Sequence, residues 1–375
     1  MMRLLLLNYE YPPLGGGAGN ATANMARELA AMGHAVRVVT AAYGDLPRRE
    51  TVDGFELRRI PAVRRHADHC SPLEMLSFMA SAAVALPVMA RRWRPDACVA
   101  FFGIPCGPAA WVLKVVAGVP YIVSLRGGDV PGFQPYDLAA YHRLTTPLIR
   151  FLWKRAAAVV ANSRGLAALA ARSAGGLPIA MIPNGVDADR FTPDETPSRQ
   201  GPVRCVFVGR LVRQKGLDVL LEALGRLPES ACLEVTIVGD GPLRRDLTAQ
   251  AARLGLDRMV RFAGWVSRAD MPDLLRRADA FVFPSRDEGM PNALLEAMAS
   301  GLAVAATRIA GNEELVEEGE TGFLVPPDDP ASLAVALARL AGDRNLCWRL
   351  GRAGREKVVR EYSWRAVAEA YAGLC

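Results

Sequence analysis

Glu288-Gly-Met-Pro-Asn-Ala-Leu-Leu-Glu296 decides the reading of this chain when it is taken together with Val203-Arg-Cys-Val-Phe-Val-Gly-Arg-Leu-Val-Arg-Gln-Lys215. The second stretch is a strand that runs into a cationic glycine loop; the first is a loop that turns into a helix. Pro291 suits a first helical position, Asn292 to Ala299 contain no β-branched residue, and Gly301 suits a left-handed stop. Glu288 then lies in the loop and Glu296 on the helix. At ~1.5 Å rise per residue the two carboxylates stand roughly 10 Å apart. That distance suits a molecule with a ribose at one end, a sugar at the other and phosphates between.

A helix N-terminus presents unpaired N–H groups and a positive dipole end, so Gly289, Met290, Pro291, Asn292 and Ala293 are the expected lining for a diphosphate. Arg210 and Lys215 would complete the charge balance, the first as a planar fork and the second as a mobile point charge. The chain holds 41 Arg and four Lys, which marks a Lys placed directly after a strand. Either glutamate alone reads as part of an ordinary amphipathic helix behind a solvated acidic loop. Glu288, Glu296, Arg210 and Lys215 together read as a sugar-nucleotide site, with Lys215 in an exposed loop.

Working outward, apolar runs alternate with helical stretches twice over, the pattern of parallel sheets with crossover helices. The first half places strands near Arg3–Leu7, Val36–Thr40, Glu56–Ile60, Ala97–Phe101, Tyr121–Ser124 and Val159–Asn162. The second places them near Arg204–Val208, Glu234–Val238, Val260–Ala263, Ala280–Pro284, Ala303–Thr307 and Gly322–Val325. Asp194-Glu-Thr-Pro-Ser-Arg-Gln-Gly-Pro202 has the composition of an interdomain linker. Ligands bind such sheets at the carboxyl ends of the strands, where glycine loops lie. Gly15 to Gly17 form one such loop, and without a following Lys-Ser/Thr pair it is not a P-loop. Gly239-Asp-Gly-Pro242 similarly follows a strand.

A chain of 375 residues with 51% apolar content is long enough for two cores and excludes a disordered protein. Residues 1–175 carry a net charge of +9 and the remainder −3. Arg58, Arg59, Arg64, Arg65, Arg91, Arg92 and Arg94 concentrate the excess, so an anionic membrane surface or lipid-diphosphate partner and a plain solvated basic face both fit. No nucleic-acid-binding motif accompanies the charge. The apolar stretch Met75 to Ala90 reads as too short to span a bilayer and contains Pro87, so no transmembrane segment is expected, nor a signal peptide at Met1 to Asn8. Seven scattered cysteines fit a reducing cytoplasm better than a disulfide framework. Four histidines without metal-ligand spacing predict no metal site; His34 reads as a surface or helix-end residue, and His66 with His69 as loop residues.

The motifs resemble those of the retaining glycosyltransferases of the GT-B fold, the glycosyl transferases group 1 or family-four clan. The resemblance rests on Gly15-Gly16-Gly17, Asn184-Gly-Val-Asp187, Gly209-Arg210, Lys215-Gly216, Gly239-Asp-Gly-Pro242, the spaced glutamates and Gly319-Glu-Thr-Gly-Phe-Leu-Val-Pro-Pro327, and so covers nearly the whole chain. It implies an α/β protein of two Rossmann-like doubly wound domains facing across a cleft. The acceptor-binding domain would span 1–185, the linker 186–202, the nucleotide-sugar domain 203–361, and a last helix over 362–375 would cross back to the first domain.

The resemblance also implies a metal-independent retaining hexosyltransferase that needs no cofactor, with a nucleotide diphosphate sugar as co-substrate and a glycan or lipid-linked acceptor in cell-surface polysaccharide or glycolipid synthesis. UDP is the expected carrier, GDP and ADP staying open. Arg210, Lys215 and Glu288 take catalytic roles; Gly16, Gly17, Val266 by main chain, and Glu296 join the 289–293 run in binding the donor. Many relatives carry a His-Gly pair where this chain reads Ser124-Leu-Arg126-Gly-Gly-Asp129. Arg cannot act as a base, so Arg126 is expected on phosphate or acceptor and Asp129 on an acceptor hydroxyl, with a loop-bracing pair as the rival reading. The expected location is the cytoplasm, with the inner face of the cell membrane as a peripheral option. A sugar-nucleotide epimerase of the same fold and a catalytically silent partner subunit are the alternatives.

Overall fold

The computed structural model describes residues 1–66, 70–195, 201–228 and 231–375. Backbone contacts divide the chain into two compact units, Met1–Gly185 with Trp364–Cys375, and Val186–Ser363.

The first unit is built on eight strands: β1 Arg3–Leu7, β2 Ala35–Ala41, β3 Arg49–Val52, β4 Phe55–Ile60, β5 Ala97–Phe101, β6 Tyr121–Leu125, β7 Ala158–Ala161 and β8 Ala180–Met181. They lie in the order β3-β4-β2-β1-β5-β6-β7-β8, all parallel except the β3/β4 pair. Helices α1 Gly17–Ala31, α2 Pro72–Trp93, α3 Cys106–Ala117, α4 Pro135–Arg155 and α5 Arg164–Ala174 make the crossovers. Successive strand residues point to opposite faces. Leu4 and Leu6 therefore pack with Met25 and Leu29 of α1, while Leu5 and Leu7 join Phe78 and Ala82 of α2 and Ala110 of α3. Burial on both faces is why β1 reads as an unbroken apolar run.

The second unit has six parallel strands, β9 Val203–Val208, β10 Leu233–Val238, β11 Val260–Gly264, β12 Ala280–Phe283, β13 Ala303–Thr307 and β14 Gly322–Val325, ordered β11-β10-β9-β12-β13-β14. Around them lie α6 Leu217–Leu224, α7 Arg244–Arg253, α8 Met271–Arg276, α9 Asn292–Ala299, α10 Ala310–Glu313, α11 Pro330–Gly342 and α12 Arg344–Glu361. The chain then enters α13, Trp364–Ala372, which packs on α1 in the first unit, where Tyr371 bonds its hydroxyl to Ser124 Oγ at 2.6 Å. Residues expected as a linker begin inside the second unit: Val186 N–H donates to Tyr362 O at 2.7 Å, and Phe191 is buried in that unit's core. The middle of that segment, 196–200, and His69 lie outside the described residues.

Three features differ from the sequence expectations. Strand β3 is a polar edge strand, paired antiparallel with β4 through Asp53-Gly54, both at positive φ. Its exposed Arg and Thr hide the alternation, but the Asp-Gly pair is a two-residue hairpin signal. Helix α2 starts three residues before the apolar stretch because Ser71 and Glu74 form a capping box, and it ends where Arg94 turns left-handed. At 22 residues it is long and apolar enough to cross a membrane by length and composition, which corrects the expectation that this stretch is too short. Pro291 is the N-cap of α9 rather than its first helical residue, while Gly301 does adopt the left-handed stop at φ 75°.

Close helix contact puts a strict demand on α12. A Cβ on Gly351 would lie 1.9 Å from Gly301 O, whereas nothing lies within 4 Å of one on Gly342. Alanine normally gains about 1 kcal/mol over glycine inside a helix, but overpacking against fixed backbone costs roughly 1–3 kcal/mol. Gly351→Ala is therefore expected to lower the melting temperature of the protein, while Gly342→Ala leaves it unchanged or raises it. Thermal denaturation of both variants checks this, and an unaltered Gly351→Ala melting point would contradict the packing.

Candidate functional site

In the second unit the chain runs outward from β9 to β10 and β11, then returns to the other side of β9 with β12, which makes the gap between β9 and β12 the topological switch point. The loops after these two strands, 209–216 and 284–291, are locked together. A Cβ on Gly216 (φ 63°) would sit 2.0 Å from Pro284 O, so the approach requires glycine. Arg286 N–H donates to Gln214 O at 2.8 Å, and Gln214 Nε2 donates to Asp287 O at 2.6 Å. The Arg286 guanidinium binds Asp218 at 2.8 Å and Asp328 at 2.7 Å, anchoring the second loop. Gly239 serves this packing as well: its Cβ would lie 1.9 Å from Gly209 O, and Asp240 O accepts from Leu211 N–H. The Gly239-Asp-Gly turn is a structural support for the Gly209 loop.

Lys215 and Glu288 meet at this point, Nζ to Oε1 2.5 Å, with side chains 14% and 9% exposed. The ammonium also lies 5.0 Å from the centre of the Phe283 ring. Lys215 is thus a largely buried, ion-paired residue and not the exposed loop side chain the sequence suggested. Removing one partner of such a pair leaves the other charge buried. Arg210 is exposed and pairs with no carboxylate among the described residues.

Directly after Glu288, the buried run Gly289-Met290-Pro291 leads into α9, whose start carries no side-chain cap. One turn further on, the Glu296 side chain is 16% exposed, and its carboxylate accepts no hydrogen bond among the described residues. Its nearest cation is Arg268, 3.7 Å away, and Arg190 in turn donates to Arg268 O. Burial raises the Glu296 carboxyl above its ordinary pKa, with Arg268 and Arg190 pulling it back. Burial likewise lowers the Arg268 guanidinium. Arg268 was not found by sequence reasoning, since no local pattern ties it to a glutamate 28 positions away. Val266, two residues before it, is half-buried beyond the end of β11, and its backbone N–H and C=O take no partner among the described residues.

The first unit has its own switch point between β1 and β5. Gly15 (φ 76°) lies against the Glu10 carboxylate, which a Cβ there would meet at 2.4 Å, and Gly16 is the N-cap of α1, again without a side-chain cap. Gly16 N–H points to Glu10 Oε2 at 3.4 Å, and Gly17 begins the helix. Beyond β6, Asp129 is 1% exposed and its carboxylate accepts from the N–H groups of Arg126 at 2.9 Å, Gly127 at 3.2 Å and Gly103 at 2.7 Å. This is a brace between the loops after β5 and β6, made through the backbone, and not a contact open to an acceptor hydroxyl. His142 adds a second brace through Gly128 O at 2.9 Å.

Arg126 does not pair with Asp129. It donates to Asn184 Oδ1 at 2.6 Å, lies 4.7 Å over the Phe101 ring, and its buried Nε has no partner among the described residues. The Asn184-Gly-Val-Asp187 run acquires a physical role here. Asn184 holds Arg126, and Gly185 clears the entry of α13, since a Cβ would meet Trp364 N at 2.6 Å.

Family models match both units: "Glycosyl transferase 4-like domain" over residues 16–185 and "Glycosyl transferases group 1" over residues 202–343. A glycogen synthase of Mycobacterium tuberculosis is 30% identical over 99% of this chain and 94% of its own length. Among solved structures, sucrose-phosphate synthase from Thermosynechococcus elongatus superposes with a TM-score of 0.88 at 21% identity, over 100% of this chain and 98% of that one. Anabaena HepE in complex with UDP and glucose superposes with a TM-score of 0.79 at 21% identity, over 100% and 99%. The two doubly wound parallel sheets and these matches together place the chain in the glycosyl transferases group 1 family, as a glycosyltransferase of the GT-B fold.

Proposed function

We propose that this enzyme moves a hexose or related sugar, with retention of anomeric configuration and without a metal, from a UDP-sugar to a glycan or lipid-linked acceptor in cell-surface polysaccharide or glycolipid synthesis. The observation that carries the reading is the Lys215–Glu288 pair, fixed at the β9/β12 switch point beside the start of α9, which has no side-chain cap. Without a bound diphosphate, Glu288 neutralises Lys215. A diphosphate at the helix start offers the ammonium a second anionic partner, adds the exposed Arg210 fork, and releases one Glu288 oxygen to accept from a hydroxyl of the transferred sugar.

Catalysis in this reading is positioning and charge stabilisation. The glycosidic carbon–oxygen bond to the diphosphate breaks, the departing oxygen gains the electron pair, and Lys215, Arg210 and the α9 N–H groups hold it. The acceptor oxygen bonds to the same carbon and gives its proton to the leaving phosphate. The Glu296 carboxylate has no hydrogen-bond donor among the described residues, which suits the two hydroxyls of a ribose, and the Val266 backbone, without a partner among those residues, suits a nucleobase edge. The UDP and glucose named for HepE support this donor class, and the glycogen synthase relative supports a glycan acceptor. Arg126, held by Asn184 at the carboxyl end of the first sheet, is assigned to an acceptor or phosphate oxygen. Incubation with a panel of sugar nucleotides tests the reading through release of free nucleotide diphosphate. NMR of the product's anomeric proton against that of the donor then tests retention, and an inverted anomer would overturn that part.

Two substitution experiments follow from the geometry. Lys215→Ala is expected to lower kcat/KM by about 10²–10³-fold, the cost of losing one preorganised stabilising charge. It also strands Glu288 in a largely buried site, so stability falls. Lys215→Ala with Glu288→Gln should recover that stability without recovering turnover, which separates chemistry from folding. Wild-type kcat/KM in Lys215→Ala would refute the diphosphate clamp.

The two glutamates separate in the same way. Ribose contacts are alike in ground and transition states, so Glu296→Gln is expected chiefly to weaken binding of bare UDP. Glu288→Gln is expected to lower kcat more than it raises the donor KM, with UDP binding near wild type. Calorimetry with UDP decides between the assignments, since the opposite pattern would mean the donor lies the other way along α9.

A further inference from the structure

Helix α2 is apolar on two opposite sides. Phe78, Ala82, Leu86 and Ala90, four residues apart, are buried in the first unit's core. On the other side Leu73, Leu76, Val84 and Val88 are 78, 55, 71 and 55% exposed, and with the exposed Ala80 they form a stripe at helical spacing. No charged residue occurs from Met75 to Ala90, and Glu74 is buried in its capping box. An ordinary surface helix turns charged residues outward, so this stripe needs an apolar surrounding. It continues onto α3, where Val115 and Val116 are 65 and 56% exposed.

Charge frames the stripe. Arg91, Arg92 and Arg94 are exposed at the end of α2, and Lys114 on α3. Between these two helix ends lies a cavity of about 380 Å³, lined by Pro87, Ala90, Val116 and Val119 with Arg91 and Arg94. It opens where the chain enters β5 and β6, at the amino ends of the strands, which is the opposite end of the sheet from the loops that carry Gly16 and Arg126. Two cations over an apolar floor match a phosphate whose attached chains continue into hydrocarbon. The sequence of this unit carries the net +9 that such a surface attracts.

We infer that the outward face of α2, with the adjoining end of α3, seats this protein on an anionic phospholipid surface, and that the Arg91–Arg94 cavity holds one lipid phosphate. The helix lies in the interface and does not cross the bilayer, because its inward residues are built into the sheet's core and could not leave without exposing it. The inference deepens the proposed function by giving a lipid-linked acceptor a surface to be met on, yet it stands without the donor assignment.

Flotation of the full chain with vesicles of phosphatidylcholine alone, or mixed with phosphatidylglycerol, tests it. Binding is expected to the mixed vesicles, to weaken as salt rises, and to be slight with phosphatidylcholine. Arg91→Glu with Arg92→Glu should reduce the partition coefficient by more than about tenfold, and Val84→Glu with Val88→Glu should abolish binding. All four side chains are exposed, so melting temperature and vesicle-free nucleotide diphosphate release should stay at wild-type values. Three results overturn the inference: no flotation with mixed vesicles, equal flotation by the variants, or a dimer that Val84→Glu with Val88→Glu converts to monomer in light scattering, which would mean a second copy covers the face. Vesicle binding without nucleotide diphosphate release from any sugar nucleotide would leave this inference standing and remove the donor reading.

Discussion

The site in the second unit depends on how closely two loops can approach at the β9/β12 switch point. Gly216 and Gly239 each stand where a Cβ would fall within about 2 Å of a carbonyl oxygen of a neighbouring loop, distances no side chain survives. That approach brings Lys215 onto Glu288, next to the start of α9. The chemistry is therefore set by backbone contact first and by charge second. A methyl group at 216 would move the ammonium before it altered any charge.

Charge at this point is balanced within the loops. Lys215 and Glu288 neutralise each other in largely buried positions, where an isolated charge would be costly. Scarcity of lysine in the chain does not by itself mark function, since Lys357, buried on α12, makes a comparable 2.6 Å pair with the half-exposed Glu317. What distinguishes Lys215 is its company: a helix start without a side-chain cap, an exposed Arg210 that pairs with no carboxylate among the described residues, and a strand end at the switch point. Glu296 presents the complementary case, a carboxylate raised by burial, attended by Arg268 at 3.7 Å and short of hydrogen-bond donors. One carboxylate is paired and the other accepts no hydrogen bond among the described residues, and that contrast supports giving them different parts of a sugar nucleotide.

Much of this was legible in the sequence because parallel strands buried on both faces announce themselves as apolar runs. Strands β1, β5, β13 and β14 begin and end where the residues place them, and β9, β10 and β11 within one residue. Elements whose identity rests on a few polar atoms were harder to read. The edge strand β3 shows itself through Asp53-Gly54 and not through alternation, and the length of α2 is set by Ser71 and Glu74 outside the apolar stretch. In the site, Lys215, Glu288 and Glu296 stand in readable motifs. Arg268, His142 and the backbone bonds of Asp129 do not, because each acts on a partner that only the fold brings near.

The departure at Arg126 shows how a loop tolerates a changed residue. Its guanidinium is buried enough to be lowered in pKa, and it is held by Asn184 and the Phe101 ring. Asp129, which sequence proximity would offer as its partner, is already engaged by three backbone N–H groups. The loop's shape thus does not depend on what side chain occupies 126. A base, a cation or a neutral residue could be presented at that position without refolding the brace. Because Asn184 is joined through Gly185 to the entry of α13, whose Tyr371 bonds Ser124 on the neighbouring strand, the C-terminal helix helps position the residue at 126. The last helix and the Asp129 brace thus hold the backbone at 126 from two sides.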